Sequence, residues 1–291
     1  MQNRFMGILL VGAAVLATAP AAFAQQTGAG YPPPTAVPIY GPSTEGHRPP
    51  QSMKAAAAAP KPSYDPKDFS GVWWGRMNSV LMGNDIPPLT AAGKAVFDMN
   101  KPAAGPRGVP PALANDPIGN CDPAGYPRNL YYNGRSFEMI QLPNKILQVM
   151  EWDHTSREIW LDGRKMPEDI DPRWYGYAIG HWDGNTLVVE SQFYDSRTWL
   201  DAFGDPHSED MKMEEKYTHP DAMTLQETMT ITDPMYYTKP WVSAKPQTFQ
   251  LQLPKGPTEL QEQYCVPSEE QEFNNNTRNP AGGISQTHEV R

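Results

Sequence analysis

Two carboxylates and a guanidinium in the middle of the chain have the types and spacing for acid–base chemistry. Glu138, Glu151 and Arg157 fall in three consecutive strand-like runs, at residues 137–142, 146–153 and 157–162. Antiparallel pairing of these runs sets Glu138 opposite Glu151 and Glu151 opposite Arg157, about 4.5–5.5 Å apart on one face. Like charges held that close raise one carboxyl pKa, and the arginine lowers that of its neighbour. The sequence therefore predicts an acid–base pair in one row.

The pattern leaves open which face of the sheet carries this row, because the opposite face of the same runs is apolar as well. If the row points inward, Arg157 can hold a carboxylate or phenolate ligand in a bidentate contact. If it points to solvent, it is an ordinary cross-strand ion row. The predicted register pairs Leu142 with Leu147 and Leu147 with Leu161.

A second pair of carboxylates, Glu215 and Glu227, flanks a predicted hairpin turn at His219-Pro220. We expect Tyr217 to face Met223 or Leu225, and either register leaves both glutamates on the apolar face, opposite or diagonal. A carboxylate buried among methionines must be paired or protonated. The alternative is a strand-end position where the side chain reaches water.

The remaining candidates are assigned to binding a ligand or moving a proton. Arg128 would help to hold an anionic group, and Glu190 is a third carboxylate on an alternating strand. Trp160 and Trp199 would supply aromatic surface, although tryptophans mostly fill cores. His207 lies in a long loop, where it would be an auxiliary proton carrier or, more ordinarily, a histidine with satisfied hydrogen bonds.

Turn signals recur every 8–12 residues after a long loop at residues 101–120, as in all-β domains. The strongest is Asp183-Gly184-Asn185 between two strand-like runs. We predict an all-β fold, an antiparallel up-and-down barrel of the lipocalin or calycin type, with about ten strands and one short helix over residues 89–99. A sandwich is the alternative. Long connections at residues 163–174 and 195–208 are expected to cap the barrel mouth.

The ends of the chain predict export. Residues 1–24 have the basic start, apolar run and small-residue cleavage site of a signal peptide, so a periplasmic or secreted location is expected. Residues 25–67 are a Pro/Ala-rich linker, 68–268 the barrel domain and 269–291 a disordered tail. No other run is apolar enough to cross a bilayer. An exported chain with two cysteines favours one disulfide, Cys121–Cys265, over two separate thiols.

Several classes of function find no support in the sequence. A net charge of −9 without a basic stripe argues against nucleic acid and anionic membrane surfaces as partners. The chain has no GxSxG, Walker or GxGxxG motif and no Cys/His cluster, so no cofactor and no metal are predicted. The oligomeric state stays open.

Several motifs resemble a family of exported bacterial proteins of unassigned function, common in acidobacteria and sphingomonad-type proteobacteria. They lie at residues 70–73, 115–128, 137–138, 159–164, 179–190, 198–201 and 237–241. The resemblance covers about residues 68–265 and implies export, but no active site. The Gly71-Val72-Trp73 start also resembles the Gly-X-Trp opening of lipocalins. Sphingomonad-type bacteria degrade lignin-derived aromatics with cofactor-free lyases, which implies an aromatic substrate by analogy.

These observations predict an exported β-barrel that acts on a small aromatic or hydrophobic molecule. The expected chemistry is cofactor-independent acid–base catalysis by a lyase or isomerase, with Glu138 and Glu151 as the acid–base pair. Two alternatives remain: a lipocalin-like binding protein without turnover, and a surface-interaction module tethered by its Pro-rich arm.

Overall fold

A computed structural model describes residues 64–75, 86–131, 136–243, 246–252 and 259–278. All of them fall in one compact unit. The predicted signal peptide and the predicted linker up to residue 63 lie outside the described residues. No helix within the described ranges is long and apolar enough to span a membrane.

Within the part of the chain that the structure describes, ten strands form a single sheet. Their bounds are β1 Gly71–Gly75, β2 Ser136–Leu142, β3 Lys145–Met150, β4 Ser156–Trp160, β5 Tyr177–Asp183, β6 Thr186–Gln192, β7 Lys212–Asp221, β8 Thr224–Thr232, β9 Trp241–Val242 and β10 Gln247–Leu251. Strands β1 to β9 are neighbours in chain order, and β10 pairs with both β1 and β8. These pairings close a nine-stranded barrel and leave β9 outside it, which confirms the predicted all-β barrel.

One pairing departs from the predicted antiparallel meander. Strands β4 and β5 run parallel, with Ile159 opposite Ala178. A parallel neighbour needs a crossover of about a dozen residues or more, and residues 161–176 between the two strands provide it. The barrel is therefore mixed, although every other pair is antiparallel.

The helices are short and lie outside the sheet. Helix α1, Ala91–Met99, begins after Thr90, whose hydroxyl accepts a hydrogen bond from the amide of Gly93 (3.1 Å) as an N-cap. Helix α2, Pro267–Phe273, and the π-helical turn Asn274–Arg278 occupy the start of the segment expected to be a tail.

The barrel interior is filled by side chains that alternate along the strands. On β8, the buried residues are Leu225, Glu227, Met229 and Ile231, and the glutamine and threonines between them are half-buried. Alternating burial is the signature of a strand with one face on a core. Rings and methionines from the facing strands, such as Phe137, Met213 and Phe249, complete the interior.

The predicted disulfide is present. Cys121 and Cys265 are joined, and they are 144 positions apart in the chain. The bridge ties the connection that precedes β2 to the segment that follows β10. It therefore closes a loop around almost the whole barrel.

Candidate functional site

The predicted row of Glu138, Glu151 and Arg157 is wrong. Strands β2 and β3 form a tight hairpin in which Leu142 faces Lys145, so Glu138 lies opposite Val149. Glu138 alternates with buried core residues and is only half-buried, which places it on the outer face. It therefore cannot form an acid–base pair with a group inside the barrel.

Glu151 lies just beyond the end of β3, where the chain enters the helical turn Trp152–His154. Its carboxylate is buried and accepts a hydrogen bond from the amide of Ser136 (3.1 Å), the first residue of β2. The backbone of the same two residues is also hydrogen-bonded (2.9 Å). Glu151 thus closes the open end of the hairpin. The prediction that it lies opposite Arg157 is wrong, because Arg157 lies opposite Gln148.

Arg157 points into the barrel and pairs with a different carboxylate. It lies opposite Gln148 on β3, and 2% of it is exposed. Both terminal nitrogens donate to Glu215 on β7, Nη1 to Oε1 at 3.1 Å and Nη2 to Oε2. Such a bidentate contact is the strongest form of ion pair.

Around this pair lies a set of buried polar side chains, which we call the interior polar cluster. It comprises Gln148, Arg157, Glu215, Glu227, Tyr126, Tyr131 and Tyr217. The hydroxyls of Tyr126 and Tyr217 donate to Oε1 of Glu215 at 2.6 and 2.7 Å and lie 3.1 Å from each other. Tyr131 donates to Oε2 of Glu227. As the alternation predicts, both glutamates face the interior, on diagonal positions, although Tyr217 faces Glu227 and not Met223 or Leu225.

The two carboxyl groups of the cluster are in different electrostatic environments. Glu215 has the guanidinium of Arg157 as its counter-ion. Burial raises the pKa of Glu227 well above its usual value, and the neighbouring charge of Glu215 raises it further, against smaller opposing effects of the Tyr131 hydrogen bond and of Arg157. The environment of Glu227 therefore favours its protonated form.

Some polar atoms of the cluster have no hydrogen-bond partner among the described residues. They are both amide atoms of Gln148, Nε of Arg157 and Oε1 of Glu227. Leaving a buried polar group unpaired costs about 1–3 kcal/mol. Gln148 and Arg157 lie directly opposite each other on β3 and β4, so these unpaired atoms belong to neighbouring side chains on one face of the sheet.

Sequence reasoning missed the tyrosines that come from outside the strands. Tyr126 and Tyr131 belong to residues 121–131, which we call the plug segment, and both are buried against the cluster. The close approach of this segment to residues 195–208 requires a glycine. Gly125 has a φ of +74°, and a Cβ there would lie 2.5 Å from the side chain of Thr198. In the sequence, the glycine of the Gly125-Tyr126-Pro127 run is the feature that could have indicated this close approach.

Arg128 and Trp199 are buried, and their contacts stabilise the plug segment. Arg128 forms a bidentate ion pair with Asp116, with N–O distances of 2.8 and 2.6 Å. Its guanidinium carbon also lies 5.7 Å from the centre of the Trp199 ring. The predicted anion-holding arginine is therefore already engaged by a carboxylate of the chain.

His207 has the ordinary role of a loop histidine. It is buried, its Nε2 lies 2.7 Å from the hydroxyl of Thr198, and its Nδ1 lies 3.1 Å from the carbonyl oxygen of Ser208. Both ring nitrogens are therefore engaged, and Nδ1 donates to the carbonyl oxygen. Burial lowers the pKa of His207, so it is neutral and supports the loop.

Glu190 and Trp160 lie on the outside of the barrel. Glu190 is exposed and faces Glu214 on the next strand. Trp160 is half-buried, and its ring is covered by Arg164 at 3.5 Å and Lys145 at 4.7 Å. The structure therefore does not bring these two predicted ligand-binding residues to the interior polar cluster.

A surface groove of about 670 Å³ lies between residues 101–120 and α2. The charged residues in its lining are Lys101, which is exposed, and Glu270, which is half-buried. It contains none of the predicted site residues. The barrel interior, with its buried ions and unpaired polar atoms, is the stronger candidate site.

A separate pair of buried acids, Asp201 and Asp205, holds residues 195–208 together. Asp201 accepts hydrogen bonds from the amides of Phe203 (2.8 Å) and Asp205 (3.3 Å). Burial, and then the charge of Asp201, raises the pKa of Asp205 to about 9. Asp205 therefore keeps its proton at neutral pH.

Replacing Asp205 with asparagine should remove a pH dependence of stability. The unfolded Asp205 ionises near pH 4, whereas the folded one keeps its proton up to about pH 9. The stability that Asp205 contributes is therefore fully present below about pH 4 and is lost as the pH rises from about 4 to about 9. We expect the free energy of unfolding of Asp205→Asn, relative to wild type, to increase by about 3 kcal/mol from pH 5 to pH 7 in urea titrations. The exposed Glu190→Gln is the control, and a constant difference for both variants contradicts a proton held by Asp205.

Searches against protein-family models, curated proteins and solved structures gave no match for this chain.

Proposed function

We propose that the barrel interior binds a small aromatic or hydrophobic molecule with one polar group, which contacts Gln148 and Arg157. The observation that carries this proposal is the set of unpaired polar atoms on these two buried neighbours. Ligand sites are typically apolar and aromatic, with a few precisely placed polar groups. The rings and methionines around the interior polar cluster supply the apolar part.

The unpaired atoms also restrict the polar group of the ligand. Nε of Arg157 and Nε2 of Gln148 are donors, and Oε1 of Gln148 is an acceptor. A group that both accepts and donates, such as a hydroxyl, satisfies this set best. A group that only donates leaves the arginine unpaired.

Acid–base turnover is the second candidate, and the environment of Glu227 favours it. A protonated acid beside an ionised carboxylate is the arrangement by which two carboxyl groups take opposite roles in catalysis. In this candidate, Glu227 gives its proton to the bound molecule, and the resulting carboxylate takes a proton back from another atom of that molecule, without a cofactor, as in a lyase or isomerase. Glu215 stabilises the positive charge of Arg157. Export remains a proposal that rests on residues 1–24, and the disulfide is compatible with it.

Replacing Gln148 with leucine should increase stability and weaken binding. Leucine has a similar size and removes two unpaired buried atoms, so we expect the free energy of unfolding to rise by about 1 kcal/mol or more. We expect affinity for aromatic molecules, measured by titration calorimetry with a panel of substituted benzenes, to fall at least about tenfold. If the amide is merely structural, the substitution lowers stability instead.

The same panel separates binding from turnover. Each molecule that binds is incubated with wild type and with Glu227→Gln, and its consumption is followed by chromatography. Consumption by wild type alone supports the enzyme. Binding by both proteins without consumption by either supports a binding protein. If no molecule of the panel binds wild type, the proposed function fails.

A further inference from the structure

Three phenol hydroxyls converge on the two carboxyl groups of the interior polar cluster. Tyr126 and Tyr217 donate to Glu215, and Tyr131 donates to Glu227. Tyr217 belongs to strand β7, but Tyr126 and Tyr131 are brought in by the plug segment. Two carboxyl groups on the barrel strands therefore already bind phenol side chains that come from outside the strands.

The ring of Tyr126 makes a second specific contact. The guanidinium carbon of Arg157 lies 4.0 Å from its centre, within the range of a cation–π interaction. The same arginine binds the carboxylate of Glu215 that accepts the Tyr126 hydroxyl. One ion pair thus contacts both the face and the hydroxyl of an aromatic ring.

We propose that the interior site is selective for phenols, and that the plug segment competes with them by placing Tyr126 and Tyr131 there. This inference rests on the proposed function and names its ligand class. A phenol hydroxyl can donate to a carboxylate, as the tyrosines do, and accept from Nε of Arg157 or the amide of Gln148. A ring without a hydroxyl leaves those atoms unpaired, and a carboxylate ligand brings a second negative charge towards Glu215.

The plug segment gives this inference a direct test, because p-cresol is the side chain of tyrosine as a free molecule. In Tyr126→Ala, the space of the ring is open and its partners Arg157 and Glu215 remain. We expect p-cresol to bind this variant at least about tenfold more tightly than wild type in titration calorimetry. Toluene, which has the same shape without the hydroxyl, should bind it at least about tenfold more weakly than p-cresol.

Tyr126→Phe is the matched control. It keeps the ring in place and removes only the hydroxyl, so it should bind p-cresol no more tightly than about twice the affinity of wild type. If Tyr126→Ala does not fold, Tyr131→Ala makes the same comparison beside Glu227. Equal affinities of p-cresol and toluene for the alanine variant would overturn phenol selectivity.

Competition is tested on wild type by hydrogen exchange. Saturating p-cresol should increase the exchange rate of amides in residues 121–131 at least about tenfold and leave β7 and β8 unchanged. Unchanged exchange in the plug segment overturns competition. A non-phenolic aromatic that binds wild type, with no binding of p-cresol to any variant, removes this inference and leaves the proposed function. If no aromatic binds wild type, the proposed function fails and this inference fails with it, even where p-cresol fills the space opened in Tyr126→Ala.

Discussion

Replacing Glu215 with glutamine is expected to lower the free energy of unfolding by about 3–5 kcal/mol. Glutamine has the same shape and can still accept hydrogen bonds from the two tyrosine hydroxyls. What the substitution removes is the negative charge beside Arg157, which is 98% buried. An unpaired charge in that position keeps the full cost of its desolvation.

Glu227 should offset part of this loss. Arg157 already lowers its pKa, against the effects of burial and of Glu215. In Glu215→Gln the opposing charge of Glu215 is gone, so Glu227 can release its proton and become the counter-ion. We therefore expect the destabilisation to be largest at acidic pH and to decrease as the pH rises. The double variant Glu215→Gln/Glu227→Gln should show no such recovery.

Two comparisons make this expectation specific to the ion pair. The exposed Glu190→Gln, with the same chemical change on the outer face, should alter stability by no more than about 0.5 kcal/mol. Arg157→Met combined with Glu215→Gln removes both charges, so it should recover most of the stability lost in Glu215→Gln alone. Equal effects of Glu215→Gln and Glu190→Gln in urea titrations would contradict a buried pair.

The barrel could be predicted because its signals are local. The turn at Gly184-Asn185 joins β5 and β6 in register, with Asp183 opposite Thr186. The apolar alternation of β8 places Glu227 inside, as predicted. Each of these patterns depends on neighbours within one hairpin, so the sequence alone specifies it.

The predicted site failed at the register between β3 and β4. The predicted pairing set Leu147 opposite Leu161, but Leu147 faces Glu158. This is a shift by an odd number of residues, and such a shift moves every side chain to the other face. It places Arg157 inside the barrel, while Glu138 stays outside. Both faces of these strands are apolar, so hydrophobic pattern could not decide, and the helical turn Trp152–His154 shortened the run that was expected to be strand.

The true partners of Arg157 could not be found by pairing neighbouring strands. Glu215 is 58 positions away and reaches the arginine across the barrel, and Tyr126 is 89 positions from Glu215. Closure of the barrel brings these groups together, and no local pattern in the sequence predicts these contacts. A buried acid does predict that a partner exists. Identifying the partner requires the three-dimensional structure.

Removing the disulfide should lower the free energy of unfolding by an amount similar to that expected for Glu215→Gln. Cys121→Ser combined with Cys265→Ser is expected to lower the free energy of unfolding by about 2–5 kcal/mol, because the bridge restricts a loop of 144 positions in the unfolded chain. The upper value is that of the chain-entropy model. Urea titrations of the oxidised wild type and the double serine variant measure the difference.

The bridge has a second expected effect, on the plug segment that begins at Cys121. In the folded barrel it fixes one end of this segment to the chain beyond β10, so removing it should free residues 121–131 more than the strands. We expect faster hydrogen exchange at the amides around Tyr126 in the serine variant, under conditions where exchange in β7 and β8 is unchanged. Uniform acceleration across the barrel would mean that the bridge acts on the unfolded chain alone. Local acceleration would identify it as the tether that holds the tyrosines of the plug segment against Glu215 and Glu227.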